Sequence, residues 1–560
     1  MIGPMTLSQA LARQVAERAA AEAFVAPGER LTWAELNDGA QRIARALHAA
    51  GVRRGDHVGL LLGNSGAWVQ IFYACALLGA VTVPVNTRFK TDELAFCLKQ
   101  ADVTLLLTAD TFLGIDFLDL LTQVEPALDS ALPGAQLPRL RRVVVLGDRC
   151  PQAAQRWEEF IGAGHPAAGG PGAGHPAAGH PPAGPSTDDA TLDACKRAVT
   201  PDDVLLIQYT SGTTSFPKGV MLTHANMLTN AWAAAQRIGV RPDDRYFSIR
   251  PYFHVAGTTL SILVSLMTGC CLLTLPKFDV ADALRMLDDE RCTLTSGNDT
   301  IFLMLMGHPD FDRSRIHLRG GWAAAGPQVM QKIRDVMGVP GICNAYGQSE
   351  ASPNITLSCF DDPFELRAMG WALPHPGMQV RVVDPGTGQP LPAGEPGEIQ
   401  ARGWSVMKGY YNMPEATARA LGADGWLSTG DLGEMDASGR LRMVGRLKDM
   451  FRVGGENVAP AEVEETLHGH PAVRMAQVVG VPDARLGEVP AAFVLLKDGQ
   501  DCTPAELTAW CKARCANFKV PRYVEIVDSF EHIGMTGSSK VQKNKLRAHA
   551  VALFGLEPQA

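Results

Sequence analysis

The segment QYTSGTTSFPKGVMLTH, residues 208–224, joins an apolar run to a dense group of hydroxyl residues, a glycine and one lysine. A loop of this composition after a strand is suited to holding a polyphosphate. It is not a Walker loop, because Pro217 replaces the second glycine and Gly219 follows Lys218 where that motif has Ser or Thr. Proline has no N–H to donate, so the Walker nest of backbone amides cannot form. The segment predicts a phosphate loop of another kind, while a polar surface turn stays open.

Short apolar runs alternate with helical stretches through most of the chain. These runs are HVGLLLGN, VTVPVN, VTLLLTA, RVVVLGD and DVLLIQYTSG. Near-continuous Val and Leu runs separated by helices are typical of α/β folds with doubly wound parallel sheets. Ligands bind such sheets at the carboxyl ends of the strands, which is where the 208–224 segment lies. We therefore expect an α/β fold with doubly wound sheets.

Length, charge and cysteine content exclude several classes of protein. At 560 residues the chain is too long for one hydrophobic core, so at least two domains are expected. A net charge of −8 argues against a nucleic-acid binder, which carries a concentrated basic face. Twelve cysteines without zinc-type spacing predict reduced thiols in a cytoplasmic protein.

Two segments of the sequence could be targeting or membrane signals. The N-terminal segment carries Glu17 and Glu22 and has no long apolar core, so it is not expected to be a secretory signal. Residues 255–276 form a charge-free run that is long enough to span a membrane. Its glycines, serines and threonines instead favour a buried helix, a turn and a strand. No transmembrane segment is expected.

Composition also indicates the domain boundaries. Residues 162–185 repeat HPAAG units, in which histidines alternate with Pro and Gly and have no acidic or cysteine partners. This segment predicts a disordered insertion in preference to a metal site. A large domain is expected over residues 1–445, followed by a small mobile α+β domain over residues 446–560. Within the small domain, Thr503, Pro504 and Glu506 predict a helix start with a capping box.

Six further motifs follow the 208–224 segment in a fixed order. They are PYFHVAG (251–257), NAYGQSEASP (344–353), STGD (428–431), GRLKD (445–449), VGGENVAPAEVE (453–464) and TGSSKVQKNKLR (536–547). The ordered set resembles the adenylate-forming superfamily of acyl-CoA synthetases, adenylation domains and firefly luciferase. GGENVAPAEVE and SKVQKNKLR are most similar to its fatty-acyl-CoA synthetase branch. The resemblance covers nearly the whole chain.

The resemblance implies an ATP site assembled from these motifs. Joining a carboxylate to the α-phosphate of ATP brings two anions together, so the site must neutralise charge. By the family pattern Lys540 is the catalytic lysine, and Glu350 is a catalytic residue that holds Mg²⁺. If the ordered set of motifs is left out of account, the local sequence predicts that Lys540 is a solvated lysine of a basic tail and that Asp431 is an ordinary turn residue. The set implied for ATP is Thr210, Ser211, Gly212, Thr213, Thr214, Lys218, Tyr346, Gly347, Gln348, Ser349, Asp431 and Arg446. Within it, Tyr346 is implied to lie against adenine, and Asp431 and Arg446 are implied to contact the ribose hydroxyls.

A second half-reaction needs a thiol to attack the acyl-adenylate, and the family achieves this by rotating its small domain. The resemblance implies that Lys448 is the hinge. It further implies that Arg452, Gly454 and Gly455 border the tunnel for the pantetheine arm of coenzyme A. An acyl pocket is expected at Tyr252, His254 and Trp322, although Trp322 fits a core position equally well.

The function implied is an ATP- and Mg²⁺-dependent acyl-CoA synthetase that acts on a carboxylic acid, with a fatty acid expected. Its partners are then the acid, ATP and coenzyme A, with no nucleic acid and a homodimer left open. Three alternatives remain: transfer of the acyl group to a carrier protein, an oxidative enzyme of the luciferase type, and a catalytically dead relative that serves as a binding protein. No carrier domain follows Arg547, and Lys540, Glu350, Asp431 and Arg446 are all retained, which disfavours the first and last alternatives.

Three departures from the family pattern bear on these expectations. Ser539 precedes the catalytic lysine where glycine is usual, and the Gly-Ala-Pro run beside adenine reads AAAGP at residues 323–327. Asn298 and Asp299 stand where an apolar residue and a proline are more usual. Because the last pair is expected to border the acyl pocket, the resemblance does not carry over the identity of the acid.

Overall fold

The computed structural model describes residues 2–162, 187–210, 217–535 and 541–556. Its strands, in chain order, are β1 (Glu22–Ala26), β2 (Glu29–Thr32), β3 (His57–Leu61), β4 (Val81–Pro84), β5 (Leu105–Ala109), β6 (Thr111–Phe112), β7 (Ile115–Asp116), β8 (Arg142–Leu146), β9 (Gln155–Arg156), β10 (Val204–Tyr209), β11 (Gly219–Thr223), β12 (Arg245–Phe247), β13 (Cys271–Leu273), β14 (Leu294–Asn298), β15 (Gly320–Ala324), β16 (Gly341–Gly347), β17 (Asn354–Leu357), β18 (Gln379–Val383), β19 (Gly397–Arg402), β20 (Gly409–Tyr410), β21 (Leu427–Met435), β22 (Leu441–Arg446), β23 (Phe451–Val453), β24 (Glu456–Val458), β25 (Val473–Asp483), β26 (Gly487–Leu496) and β27 (Tyr523–Ile526).

The α-helices of the described residues, in chain order, are α1 (Leu7–Arg18), α2 (Trp33–Ala49), α3 (Gly66–Leu78), α4 (Thr91–Gln100), α5 (Phe117–Val124), α6 (Trp157–Gly162), α7 (Asp189–Ala198), α8 (His224–Ile238), α9 (Val255–Gly257), α10 (Val264–Thr268), α11 (Val280–Asp289), α12 (Asp299–Met306), α13 (Pro327–Asp335), α14 (Phe364–Ala368), α15 (Pro414–Ala420), α16 (Pro460–His468), α17 (Pro504–Lys512) and α18 (Lys543–Leu553).

Two eight-stranded sheets form most of the large domain. Their strand orders are β17-β16-β15-β14-β12-β13-β1-β2 and β20-β11-β10-β4-β3-β5-β8-β9. The interior strands pair in parallel, for example β3 with β4 and β5, and β14 with β15. Antiparallel pairs occur towards the sheet ends, at β2, β11, β17 and β20. The predicted α/β fold with doubly wound sheets is confirmed.

Helix α3 shows how the core of the large domain is built. Its sequence GAWVQIFYACALL is apolar almost all round, and nearly every residue of the helix is buried. A helix of this kind is stable only inside a core. The hydroxyl of Ser65 caps its start by accepting from the Trp68 N–H, and Gly79 ends it in the left-handed conformation. The helix packs along α2, and together they belong to the largest apolar cluster.

The charge-free run at residues 255–276 folds as the sequence predicts. It begins as the short helix α9, continues as a π-helix over Thr258–Leu263 and ends as α10. Gly269 then turns the chain, with φ of 78°, into strand β13. Within the described residues, no helix combines the length and hydrophobicity that crossing a bilayer requires. All twelve cysteines lie in described segments, and none forms a disulfide.

A third sheet departs from the expected parallel pattern. Strands β18, β19, β21 and β22 form a four-stranded antiparallel sheet. Along β19, buried residues alternate with partly exposed ones, which is the pattern of a sheet with one solvated face. Asp431 lies inside β21 and is buried, so the alternative of an ordinary turn residue is wrong. The apolar runs predicted the parallel sheets only, because this alternation is a weaker signal.

The C-terminal part of the chain has its own core. Apolar residues from Phe451 to Ala550 form a cluster separate from those of the large domain. Strands β23 to β27 make one sheet, and α16, α17 and α18 pack near it. The helix start predicted at Thr503 is confirmed, with both hydrogen bonds of the capping box present. The boundary at 445/446 stays a prediction, as does the disorder of the 162–185 insertion, nearly all of which lies outside the described residues.

Candidate active site

The first eight-stranded sheet brings four chain segments to one edge. Strands β12, β14, β15 and β16 are parallel, with Phe247 beside Thr295, and Ser296 beside Trp322. Because parallel strands end at the same edge, the residues at and after their carboxyl ends lie together. These residues include Arg250, Asn298, Trp322 and Tyr346. The edge therefore collects residues from four separate segments of the chain.

The predicted phosphate loop begins where β10 ends. The Thr210 N–H donates to the carbonyl of Lys218 at 3.0 Å, and the Lys218 N–H donates to Thr210 Oγ1 at 3.3 Å. These bonds close the base of the loop. Of the residues implied for ATP, Ser211, Gly212, Thr213 and Thr214 lie outside the described residues. Lys218 Nζ lies 5.0 Å from the centre of the Tyr410 ring, as in a cation–π contact.

Glu350 stands in a single 3₁₀ turn after β16, where Tyr410 fixes its carboxylate. The Tyr410 hydroxyl donates to Glu350 Oε1 at 2.7 Å, and the Met407 N–H donates to the Glu350 carbonyl at 2.9 Å. Burial, followed by the charge of Glu350, raises the pKa of Tyr410, so the phenol stays a donor. The sequence analysis missed Tyr410, which the pair of tyrosines in MKGYYN could have indicated.

Asp431 is held by two of the other residues implied for ATP. The Tyr346 hydroxyl donates to Asp431 Oδ2 at 3.0 Å, and Arg446 Nε lies 3.4 Å from Oδ1. Burial and the charge of Asp431 raise the pKa of Tyr346 well above its usual range. Strands β21 and β22 place Asp431 directly beside Arg446. Cross-strand pairing thus explains why STGD and GRLKD meet at one place.

Lys448 lies within electrostatic range of Lys218 in the first group and of Asp431 and Arg446 in the second. It follows Arg446 in a 3₁₀ turn, and burial together with the charges of Arg446 and Lys218 lowers its pKa, while Asp449 and Asp431 act to raise it. The residues joined by these contacts will be called the carboxylate cluster: Lys218, Tyr346, Glu350, Tyr410, Asp431 and Arg446. Gln348 lies in the same segment, and its side-chain Nε2 is buried with no hydrogen-bond partner among the described residues. Gln348 therefore has a donor available for a ligand.

The carboxylate cluster contains ligands for a metal ion but, among the described residues, no complete metal site. In the described part of the chain, no group of three or more His, Cys, Asp or Glu side chains could hold one. Mg²⁺ often needs only one or two carboxylates beside substrate phosphates. Glu350 fits that role, since no described residue donates a hydrogen bond to its Oε2. The donor set therefore suits a cation that arrives with a nucleotide, not one held by the protein alone.

A second group lies at the same sheet edge, around Trp322. The Trp322 Nε1–H donates to the Tyr246 hydroxyl at 2.8 Å, and that hydroxyl donates to the Leu260 carbonyl at 2.9 Å. The guanidinium carbon of Arg250 lies 5.3 Å from the centre of the Trp322 ring. We call Tyr246, Arg250 and Trp322 the tryptophan cluster. Trp322 was predicted, whereas Tyr246 and Arg250 were missed because they precede the PYFHVAG motif.

The other two residues predicted for the acyl pocket have different surroundings. Tyr252 is buried, and its ring centre lies 5.3 Å from that of Trp68 on α3. Its hydroxyl is buried without a hydrogen-bond partner among the described residues. His254 caps α9, with Nδ1 accepting from the Ala256 N–H at 3.1 Å. The structure thus places Tyr252 against α3 and His254 at a helix start, and neither residue is part of the tryptophan cluster.

The residues predicted to border the coenzyme A tunnel lie on the hairpin of β23 and β24. Gly454 and Gly455 have φ of 60° and 96°, which favours glycine at both positions. The Gly454 N–H donates to Leu486, and the Arg452 N–H donates to Glu488, both within the small domain. Arg452 and both glycines are exposed. Lys540, the predicted catalytic lysine, lies outside the described residues.

The small domain meets the large one at the start of α13. Glu465 of α16 accepts from the Gln328 N–H at 2.9 Å, and Asp299 accepts from the Gly326 N–H at 3.0 Å. Two carboxylates thus satisfy the exposed amides of one helix N-terminus. Burial raises the pKa of Asp299 to about 7 and also raises that of Glu465. Asp299 was expected to border the acyl pocket, and its described hydrogen bond is to this helix start instead.

Comparison with known families gives two matches along the chain. Residues 11–411 match the AMP-binding enzyme family, and residues 462–540 match the AMP-binding enzyme C-terminal domain. The first match covers most of the chain and includes Glu350 and the 208–224 segment. The second covers most of the separate C-terminal core.

Individual proteins agree with this assignment. The mitochondrial medium-chain acyl-CoA ligase ACSF2 of Danio rerio is 34% identical over 547 residues, which are 95% of this chain and 86% of that protein. A 3-[(3aS,4S,7aS)-7a-methyl-1,5-dioxo-octahydro-1H-inden-4-yl]propanoyl:CoA ligase of Rhodococcus jostii is 36% identical over 550 residues, 97% of this chain and 98% of that protein.

A solved structure extends the likeness to the whole fold. The anthranilate CoA ligase AuaEII, crystallised with anthranoyl-AMP, has a TM-score of 0.84 and 26% identity, covering 99% of both chains. That complex contains an acyl-adenylate, the intermediate expected from the resemblance. The chain therefore belongs to the AMP-binding enzyme family and is an acyl-CoA synthetase, which uses ATP to activate a carboxylic acid as acyl-AMP and then transfers the acyl group to coenzyme A.

Proposed function

We propose that the enzyme works with Mg²⁺ and ATP on a medium-sized aliphatic acid, and that the carboxylate cluster binds the nucleotide. The observation that carries this proposal is the connection of three implied ATP residues through hydrogen bonds and charge. Tyr410 joins Lys218 to Glu350, Tyr346 joins Asp431 to the same strand end, and Lys448 lies near both groups. These contacts fix the side chains before a ligand arrives, as preorganised catalysis requires.

In the first step, a carboxylate oxygen of the acid attacks the α-phosphorus of ATP, and the bond to the pyrophosphate oxygen breaks. Lys218 and the hydroxyl loop neutralise the departing pyrophosphate. Asp431 accepts hydrogen bonds from the ribose hydroxyls, and Tyr346 lies beside the adenine. Glu350 would hold Mg²⁺, which would supply charge neutralisation at the phosphates. Lys540 bridges the carboxylate and the α-phosphate.

In the second step, the thiolate sulfur of coenzyme A attacks the acyl carbon, and AMP leaves. We assign this step to a second orientation of the domain from residue 446 onward, turned about Lys448. Support comes from the β23–β24 hairpin, whose described backbone bonds all run within the small domain. Hinges absorb such rotations in a few backbone torsions.

Lys448→Pro tests the hinge. Proline fixes φ near −65° and restrains Leu447 before it, which should favour one orientation. We expect acyl-AMP formation to continue while thioester formation from the same intermediate falls by about 100-fold or more. Both half-reactions at parental rates would place the hinge elsewhere.

The acid's size is inferred from Trp322, which the family resemblance assigns to the acyl pocket and whose bond to Tyr246 holds it in one orientation. The mitochondrial relative is a medium-chain ligase, which supports the same range. A series of acids from butanoate to hexadecanoate, assayed for pyrophosphate release with and without Mg²⁺, tests both parts of the proposal. Release should peak at an intermediate length and require the metal. Highest activity on hexadecanoate would contradict the size limit.

Trp322→Ala sharpens this test. The smaller side chain should move the peak towards longer acids, and Trp510→Ala in the small domain is a matched control. Trp510 also donates through Nε1, to the Thr466 carbonyl at 2.8 Å, yet it lies in a different core. An unchanged chain-length profile in a folded Trp322 variant would assign that tryptophan to the core.

A further inference from the structure

Arg250 is the feature of the site that the proposed function leaves unexplained. It is one of two buried arginines among the described residues, with an exposed fraction of 8%. The other, Arg367, donates to the carbonyls of Pro340, Ile342 and Asp362. Arg250 has no comparable set: its Nε is buried without a hydrogen-bond partner, and no carboxylate within the described residues pairs with it.

Such an arrangement is unfavourable unless a further group pairs with the guanidinium. Removing a guanidinium from water costs free energy that an ion pair or several hydrogen bonds normally offset. Burial lowers the pKa of Arg250 to about 10, which still leaves it charged at neutral pH. The face of Trp322 is the described contact that favours the cation, and a cation–π contact recovers only part of the lost hydration.

Hydrogen bonds fix the backbone of Arg250 and so determine where its side chain begins. The Asn64 side-chain amide donates to the Arg250 carbonyl at 3.0 Å, and the Arg250 N–H donates to Ser248 Oγ at 3.4 Å. Ser248 is in turn bonded to Ser261 at 2.7 Å and to Ser296 at 3.1 Å. A buried polar network therefore fixes the base of the residue, while its charged end lies against Trp322.

The position of Arg250 indicates which ligand reaches it. It follows β12, whose neighbour in the sheet is β14, and it contacts Trp322 on β15. All three strands end at the edge that also carries Tyr346 and Glu350. The phosphates are assigned to Lys218 and the loop after β10, which belongs to the other sheet. Arg250 therefore faces the acid's side of the site.

We propose that Arg250 binds a second carboxylate at the far end of the acid, so that the preferred substrate is an aliphatic dicarboxylic acid. One carboxylate is activated as the adenylate, and the other pairs with the guanidinium beside Trp322. This inference rests on the proposed function, because it assumes that the tryptophan cluster borders the acid. Guanidinium matches a carboxylate by donating two parallel hydrogen bonds, which suits it to this recognition.

The test compares acids that differ only at the far end: octanedioate, 7-oxooctanoate and octanoate. For the wild-type enzyme we expect kcat/KM to be highest for octanedioate, by about tenfold or more over octanoate. Arg250→Met keeps the length of the side chain and removes its charge. It should lower kcat/KM for octanedioate by about 100-fold, lower that for octanoate by much less, so that the preference for octanedioate is lost, and leave the KM for ATP unchanged.

Arg250→Lys is the matched control, since it keeps the charge but loses the planar fork, and it should retain part of the preference. A direct binding measurement runs beside the kinetics. Octanedioate should raise the melting temperature of the wild-type protein more than octanoate does, and this difference should vanish in Arg250→Met. Since that variant removes an uncompensated charge, its own melting temperature should not fall.

The outcomes separate the two proposals. Turnover of octanoate with no preference for octanedioate would retain the medium-sized acid and overturn the role of Arg250. A preference for 7-oxooctanoate over octanedioate would overturn the second carboxylate in favour of a neutral acceptor. A raised KM for ATP in Arg250→Met would assign the arginine to the nucleotide. If none of the three acids is turned over, the proposed acid class fails, and the absence of stabilisation by octanedioate would overturn the Arg250 proposal as well.

Discussion

The carboxylate cluster, of which Tyr346 and Glu350 lie at the edge of the first sheet, and the tryptophan cluster of the same sheet differ in how their charges are balanced. In the carboxylate cluster, Asp431 accepts a hydrogen bond from Tyr346 and forms an ion pair with Arg446, and Glu350 accepts a hydrogen bond from Tyr410. In the tryptophan cluster, Arg250 has an aromatic face and no described carboxylate. The charges of the first cluster have partners among the protein's own side chains, whereas we propose that the charge of the second is paired by the ligand. This is the difference expected between a site for ATP, which all such synthetases use, and a site for the acid, which varies among them.

The largest effect is expected from Lys540→Ala, which removes the charge that bridges the two anions of the first step. Losing one preorganised donor costs about 2.7–4 kcal/mol, so adenylation should fall by about 100-fold to 1,000-fold. Thioester formation from supplied acyl-AMP should be largely spared, because we assign that step to the second orientation of the small domain, which withdraws Lys540 from the site. The two half-reactions are measured separately by pyrophosphate release and by acyl-CoA formation.

Lys543→Ala is the control, three residues further on. Lys543 is bonded to Glu464 and to the Val478 carbonyl inside the small domain. Its loss should lower the stability of that domain and leave the ratio of the two half-reactions unchanged. Equal damage to both steps in Lys540→Ala would refute its role.

A smaller loss of activity is expected from variants of Glu350 and Tyr410, and the Mg²⁺ requirement should distinguish the roles of these two residues. Glu350→Gln weakens a metal ligand, so it should raise the Mg²⁺ concentration needed for half-maximal adenylation and slow that step. Tyr410→Phe keeps the carboxylate of Glu350 but removes the hydrogen bond that orients it. Activity should therefore fall by about tenfold, with a smaller change in the Mg²⁺ requirement. Tyr411→Phe is the control, since that hydroxyl bonds to Asp102 at 3.0 Å. Unchanged Mg²⁺ dependence in Glu350→Gln would place the metal site elsewhere.

Much of the fold and part of the site could be predicted from the sequence. The Val and Leu runs identified the parallel strands, because strands buried on both faces are apolar throughout. The antiparallel sheet of β18, β19, β21 and β22 was missed, since its half-exposed strands give a weaker pattern. Glu350 and Asp431 were predicted through their motifs, and their roles stay predictions. Tyr410 and Glu465 were not predicted, because their roles depend on contacts with residues 60 and 137 positions away.

The contact between the two domains gives a prediction about pH. The pKa of Asp299 is raised to about 7 by burial, and Glu465 and Glu464 of the small domain add to the shift. Lys332 on α13 lies near Glu465 and acts in the opposite direction on that carboxyl. A raised carboxyl pKa favours the folded state below the unfolded value of about 3.9, and this stability is lost as pH rises through the folded pKa.

Asp299→Asn should therefore flatten the fall in unfolding free energy between about pH 4 and pH 8, by an amount on the order of 2 kcal/mol. The amide keeps an acceptor for the Gly326 N–H. Asp279→Asn is the control with the opposite sign, because the Asp282 N–H lowers the pKa of that carboxyl. Parallel pH profiles for Asp299→Asn and the wild-type protein would show that Asp299 ionises normally.

The smallest effect is expected from deleting residues 164–184, which lie outside the described residues. Their Pro, Gly and Ala composition cannot bury enough apolar surface to offset the entropy of ordering. Activity and melting temperature should remain nearly unchanged. A marked loss of either quantity would mean that the insertion packs against the enzyme.

The account's central claim is that activation and transfer are separate steps joined by acyl-AMP. It is tested most directly by mixing enzyme, Mg²⁺, ATP and acid without coenzyme A, and then adding coenzyme A. Acyl-AMP and pyrophosphate should form first, in amounts limited by the enzyme, and coenzyme A should convert the bound intermediate to acyl-CoA and AMP in equal amounts. Formation of ADP and phosphate, or the absence of any acyl-AMP before coenzyme A is added, would contradict it.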